Sequence, residues 1–297
     1  FANTGTSNIV TFIRTKSESF SSGGVEFDGT GDYLGTTSSS SDFSLGTGDF
    51  TIEMWVKYNS ISNEGLFQLS TTSGGLATSG GLQLKVVSQD GGKYDVSFNG
   101  SGNGTYAPGT CNNKAINMGQ WYHLAVTRSG TTSRFYVDGV VQVFGTDCTN
   151  DTLISDSTDY DSTYLCIGGY YDTDYLLDGT ISNFRLIKGT ALYTGNDSFD
   201  PPLRELTNVT NTKFLGCQST SSTTAATVTP QTLTAYGNPT AGAETITIGT
   251  PFETTLTWPS AIKWDGGSAP TLDQSNLTGN DVNIITLLTR DEGVTVA

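Results

Sequence analysis

His123 is the only histidine in the 297 residues. Any serine or cysteine nucleophile activated by an imidazole would therefore have to use it. It stands between Tyr122 and Leu124 in an alternating run, where an imidazole reads as a side chain on a sheet face. Retaining glycoside cleavage needs two carboxylates about 5–5.5 Å apart, which on one strand means acids two or four residues apart. The run Phe50 to Tyr58 holds Glu53 alone, and the arrangement Glu-x-Asp-x-x-Glu does not occur. No glycine-rich phosphate loop and no paired-histidine metal motif is present. These absences predict a protein that is not an enzyme.

Residues 147–178 contain eight aspartates and no Lys, Arg or Glu. Such crowding of carboxylates calls for solvent or a cation, and hard oxygen ligands suit calcium. The candidate calcium ligands are Asp28, Asp32, Asp172, Asp174 and Asp178. The spacing is not that of an EF-hand, and the competing reading is a solvated acidic loop. The same region carries Tyr160, Tyr164, Tyr170, Tyr171 and Tyr175. Aromatic faces stack on sugar rings while Asp172 and Asp174 accept hydroxyl hydrogen bonds, so these seven residues form a candidate glycan site. The alternative is that the tyrosines pack sheets or a subunit interface. Cys111 and Cys148 lie in polar, loop-like sequence and are a possible disulfide, although pairing is not readable from spacing. Cys166 and Cys217 follow apolar residues and read as buried thiols.

The elements that must position these groups are strands. Only 14% of residues are charged, and 36 are glycine. Ser, Thr and Asn supply the polar surface, a profile of strands and turns. Phe50, Ile52, Met54, Val56 and Tyr58 share one face of a run whose other face holds Thr51, Glu53 and Lys57, a half-buried strand. Leu82, Leu84 and Val86 repeat the pattern. Trp121 to Phe144 reads as strands joined by tight turns, with Asp138-Gly139 fitting a two-residue hairpin of positive φ. A net charge of −15 predicts no binding to nucleic acid. The absence of a long apolar run predicts no membrane insertion.

Several stretches resemble the laminin-G-like family within the concanavalin A-like lectin/glucanase superfamily. They are Val25-Glu26-Phe27-Asp28-Gly29 with Asp32-Tyr33-Leu34, Asp49 to Lys57, Trp121 to Arg128 with Phe135 to Gly139, and Leu165 to Tyr193. The resemblance covers about residues 21–217. It implies an antiparallel jelly-roll β-sandwich, with calcium at a rim of the sandwich. Leu256-Thr257-Trp258-Pro259-Ser260, Lys263-Trp264, Gly266 to Leu272 and Thr289 to Gly293 resemble a short module of marine tailed-phage structural proteins. Phe214 to Gln218 and Lys188 to Tyr193 are similar to the same proteins. The sequence departs from that pattern at Val294-Thr295-Val296-Ala297, where an aromatic is usual.

The expected organisation is an all-β chain with four parts. Residues 1–20 form an arm or the end of a preceding domain, and 21–217 form the sandwich. Residues 218–240, rich in Ser and Thr, read as an extended linker or an exposed crossing segment. Residues 241–297 read as a small C-terminal β module, too small to be stable alone. The phage resemblance implies an extracellular, virion-surface protein: a fibre, tail protein or capsid decoration. Its expected partners are other virion proteins, further copies of itself (a trimer fits a fibre) and a host surface glycan. The alternatives are a purely architectural protein without ligand and, behind it, a glycan-degrading enzyme.

Overall fold

The computed structural model describes residues 9–13, 18–73, 81–87, 93–98, 116–142, 154–170, 175–195, 199–248, 284–290 and 293–296. In chain order the strands are β1 (Ile9–Ile13), β2 (Glu18–Asp28), β3 (Tyr33–Thr36), β4 (Phe50–Tyr58), β5 (Glu64–Ser70), β6 (Leu82–Val87), β7 (Lys93–Phe98), β8 (Trp121–Ser129), β9 (Thr132–Val137) and β10 (Val140–Val141). They continue as β11 (Ile154–Ser155), β12 (Tyr164–Ile167), β13 (Asp178–Lys188), β14 (Thr212–Gly216), β15 (Ala226–Val228), β16 (Leu233–Tyr236), β17 (Thr240–Ile248), β18 (Ile284–Arg290) and β19 (Gly293–Val296). The all-β class expected from the sequence is what forms.

The chain divides into two units, Phe20–Ile246 and a second that joins Phe1–Ser19 to Thr247–Ala297. In the second, β1 pairs antiparallel with β18, and β18 with β19. The N-terminal arm and the C-terminal module thus share one sheet.

The larger unit is an antiparallel jelly-roll sandwich. One sheet runs β10-β9-β8-β4-β13-β14-β15, with β11 on β9, β2 on β13 and β17 on β2. The other runs β16-β3-β12-β5-β6-β7. Phe50, Ile52, Met54, Val56 and Tyr58 point into the core as their alternation requires, against Leu69, Leu84, Leu165 and Ile167 of the facing sheet. The Asp138-Gly139 hairpin also forms as read, with φ of 47° and 74°, the left-handed pair that matches strand twist.

Two expectations need correction. Residues 218–240 are no linker: β15 adds to β14, β16 adds to β3, and β17, the start of the expected C-terminal module, adds to β2. Ser and Thr suit strands as well as linkers, because their short side chains fit a half-buried pleat. The second correction concerns β4, which is buried on both faces rather than half-buried. Residues 189–195 and 199–211 cross its outer face. Thr51 Oγ1 donates to the Thr190 carbonyl, Thr127 Oγ1 to that of Tyr193 and Tyr136 OH to that of Gly195.

A fragment spanning Phe20–Ile246 is therefore expected to fold alone and to unfold in one cooperative transition by circular dichroism. Ending the fragment at Cys217 removes β15, β16 and β17 and should lower its melting temperature by several degrees.

Candidate functional site

Two clusters of buried polar groups include the charged residues Arg128 and Glu53. Arg128, fully buried on β8, lies over Phe50 and Tyr160 at 5.3 and 4.8 Å from the ring centroids. Its guanidinium donates to the carbonyls of Gly46, Gly48 and Thr158. Asp156 accepts from Ser133 Oγ at 2.6 Å and from Tyr160 OH at 2.9 Å. Tyr160 is thus a core residue at a closed end of the sandwich, and burial pushes its phenol far up. It does not offer a face to a sugar, contrary to the sequence reading.

The second cluster lies beneath the crossing segment. Glu53 Oε1 accepts from Arg185 Nε and Nη2 at 2.9 and 2.6 Å. Its Oε2 lies 3.2 Å from His123 Nε2 and accepts from Tyr193 OH at 2.9 Å. Burial alone would raise the Glu53 carboxyl, but the His123 hydrogen bond and the charges of His123 and Arg185 outweigh it and hold it low. His123 is fully buried beside Trp55, out of reach of substrate and spatially a sheet-face residue as expected. The sole acid of β4 is occupied by ion pairing.

The acidic residues read as calcium ligands converge only in part. Asp178 and Asp28 are direct cross-strand neighbours. Asp28 is exposed, and its Oδ1 accepts from the Thr30 amide. Asp32 is 1% exposed and its two oxygens accept the amides of Asp28 and Asn238. It is therefore a structural acceptor rather than a free ligand, correcting its assignment. Near Asp178 lies Glu64, which the sequence reading missed. Glu64 Oε1 accepts from Ser60 Oγ and from the amide and hydroxyl of Ser62, while Oε2 is buried with no hydrogen-bond partner among the described residues. Burial raises its carboxyl, and the Asp178 charge adds to the rise against the serine hydrogen bonds. Among the described residues no group of three or more His, Cys, Asp or Glu is arranged around a metal position.

Tyr170 is 2% exposed and packs over Gly65, with its ring 5.2 Å from that of Tyr175. It too is a packing residue, because the missing side chain of Gly65 makes the room it fills. Tyr175 is half-buried, with Lys85 Nζ 5.1 Å from its ring centroid. Tyr171, Asp172, Asp174, Cys111 and Cys148 lie outside the described residues. Cys166 and Cys217 are buried thiols in no disulfide, and burial pushes Cys217 up to about 12.

Another surface combines aromatic and amide groups. On β3, β12, β5 and β6 the core rows are made by Leu34, Ile167, Phe67 and Leu84 and by their neighbours two residues away, and on the edge strand β16 Leu233 alone is buried. Alternation puts the intervening residues on the opposite face. One row there reads Thr234, Gly35, Cys166, Gln68 and Gln83 across the five strands. At strand spacing it is about 19 Å long. Gly35, Cys166 and Gln68 form a buried floor, while Thr234 and Gln83 are half-buried. To one side Tyr33 and Tyr236 stack at 4.3 Å with 11° between their planes. To the other lies half-buried Tyr164, opposite Ser70. No carboxylate occurs among the described side chains of these rows. Tyr164 is the one candidate that sequence reading placed here. Tyr33 was visible within the family-like stretch, whereas Tyr236 was hidden in the supposed linker.

Two predictions follow from the buried carboxylates. Glu53→Gln leaves Arg185 buried without its counter-ion and should cost about 3–5 kcal/mol in urea unfolding. The Glu53 value is depressed in the fold, so its contribution is complete above the ordinary carboxylate range and fades as pH falls through that depressed value. The gap between wild type and Glu53→Gln should narrow there. Glu64 has the opposite sign. Its folded value is raised, so the buried anion costs stability at neutral pH and protonation relieves that cost. In metal-free buffer, Glu64→Gln should unfold at a higher temperature than wild type at pH 7, with the difference shrinking in acid.

A family profile described as concanavalin A-like lectin/glucanases superfamily, of laminin G type, matches residues 28–192. No curated protein matches the chain. Among solved structures, a heptameric SAP-like pentraxin from Limulus polyphemus is 14% identical with a TM-score of 0.41, covering 74% of this chain and 94% of that one. A putative carbohydrate binding protein from Bacteroides ovatus is 13% identical with a TM-score of 0.48, covering 81% and 63%. Domains LG4-5 of the mouse laminin alpha1 chain are 17% identical with a TM-score of 0.37, covering 59% and 44%. The chain spans less than two thirds of the length of the latter two. The profile match takes in more than half of the residues, and on it the chain belongs to the laminin-G-type family of the concanavalin A-like lectin/glucanases superfamily.

Proposed function

We propose that the protein is a non-catalytic, lectin-like module that binds glycan through the tyrosine- and amide-bearing face of its six-stranded sheet. The observation that carries this reading is the row Thr234-Gly35-Cys166-Gln68-Gln83 flanked by the stacked Tyr33–Tyr236 pair and by Tyr164. Small residues keep the floor low, the half-buried Gln83 amide offers both donors and acceptors to sugar hydroxyls, and tyrosines beside the floor offer ring faces and hydroxyls. The lack of carboxylates among the described side chains of these rows, in a chain of net charge −15, favours a neutral polysaccharide. A binding role rather than hydrolysis is supported by the occupied state of Glu53, the sole acid of β4.

The likeness of residues 256–293 to a phage structural module supports display on a virion surface, among other virion proteins and in several copies. Each site would then be weak and the array would supply avidity. At the rim, the Glu64 oxygen that has no partner among the described residues, with Asp178 nearby, would suit a hard divalent cation such as calcium, which would neutralise the buried carboxylate.

Binding to laminarin, xylan and mannan, with sulfated and carboxylated polysaccharides as controls, tests the reading. Saturable binding to a neutral polymer should weaken about three- to tenfold in Tyr33→Ala and in Tyr164→Ala, a stacking-sized loss. No binding by folded, oligomeric protein leaves the architectural alternative, and release of reducing sugar would overturn the non-catalytic reading. Calcium should raise the melting temperature of wild type but not of Glu64→Gln. An equal response in both removes Glu64 from the cation site.

A further inference from the structure

We propose that Asp32 is the positioning residue for the aromatic side of this face: it staples the corner between β16 and β17 to the corner between β2 and β3, and thereby sets Tyr236 against Tyr33. The proposal rests on reading that face as the glycan site, although its structural half stands separately.

Two of the connections between the sheets meet at this end of the sandwich. Residues 29–32 carry the chain from β2 to β3, and residues 237–239 carry it from β16 to β17. Asp32 is buried where the two corners meet. Its Oδ1 accepts from the Asn238 amide at 2.6 Å, across 206 residues of sequence, and its Oδ2 accepts from the Asp28 amide at 3.3 Å. Gly237 has φ of +71°, and a Cβ there would lie 2.1 Å from Asp32 Oδ1 and 2.7 Å from the Gly31 carbonyl oxygen. Only glycine permits both the left-handed turn and this approach.

Little else holds β16. It is an edge strand of four residues, and of these Leu233 alone is buried. Its ladder with β3 ends at the pair Tyr236–Tyr33, so the Asn238 amide lies beyond the last rung and Pro239 has no amide to offer. Short edge strands open at low free energy. Leu233 anchors one end of β16 in the core, and Asp32 anchors the other through a charge-assisted bond to backbone. Asp32 precedes Tyr33 and its partner Asn238 lies two residues after Tyr236, so this bond fixes both stacked rings at once. The strand falls outside residues 28–192. The chain beyond that region therefore completes one side of the face.

Hydrogen exchange on the full chain, paired with binding to laminarin, xylan and mannan, tests this. Asp32→Ala should speed amide exchange in residues 233–238 by about ten- to hundredfold, the loss of a hydrogen bond to a charged group, with β4, β8 and β13 unchanged. Asp32→Asn keeps an acceptor for the Asn238 amide and should restore most of the protection. Gly237→Ala keeps the Asp32 carboxylate but drives a Cβ against its Oδ1, so it should open the same corner and reproduce the Asp32→Ala pattern, which covers the case in which the latter does not fold. Unchanged protection in both Asp32→Ala and Gly237→Ala, or no rescue by Asp32→Asn, overturns the role of Asp32 whether or not any polysaccharide binds. Lost protection with polysaccharide binding intact overturns instead the assignment of this face as the glycan site.

Discussion

A carboxylate removed from water has to be matched by donors, and Glu53 recruits four of them from three elements. Arg185 comes from β13, His123 from β8 and Tyr193 from the segment that crosses the outer face of the ten-stranded sheet. Breaking such a set leaves a buried charge unpaired, a cost of about 3–5 kcal/mol. The crossing segment is therefore held by a chemical demand as well as by apolar contact. Phe199 stacks on Tyr193 at 3.8 Å, and Tyr136 packs edge-on against both.

That closure decides which surface is left for function. With the outer face of one sheet covered, the polar alternate residues of β4 and β8 become interior. On the corresponding face of the six-stranded sheet Tyr33, Gln83, Tyr164, Thr234 and Tyr236 keep partial exposure, although Cys166 and Gln68 between them are buried. The row Thr234, Gly35, Cys166, Gln68 and Gln83 on that face carries hydroxyl, thiol and amide groups and no carboxylate. The two sheets have similar alternating patterns and opposite fates, because one is crossed by a long connection and the other is not.

The rim shows the same division between acids that hold the fold and acids that are free to act. Asp32 and Asp156 accept backbone or hydroxyl hydrogen bonds in buried positions. Asp28 and Asp178 remain on adjacent strands at the edge, beside a Glu64 whose second oxygen is unmatched. A buried carboxylate with an orphaned oxygen is either a tolerated cost or half of a ligand set.

Period-two alternation in Phe50 to Tyr58 and Trp121 to Val126, with the Asp138-Gly139 turn, made the strands and the core of the sandwich legible in sequence, because alternation and positive φ are local properties. Locality also limits what sequence can say. The pattern of β4 announces two faces but not that Tyr193 and Arg185 would close the polar one. Ser/Thr-rich residues 218–240 look alike as linker or edge strand, because only the partners β14 and β3 decide. Tyr160 and Tyr170 carry the same ring as Tyr33 and Tyr236. The first pair is buried by Arg128 and by the space above Gly65, and the second is brought together across 203 residues by a strand register. Residue type and alternation set which groups exist and which way each strand faces. Burial and the pairing of distant groups belong to the tertiary structure, since both depend on contacts between segments far apart in the chain.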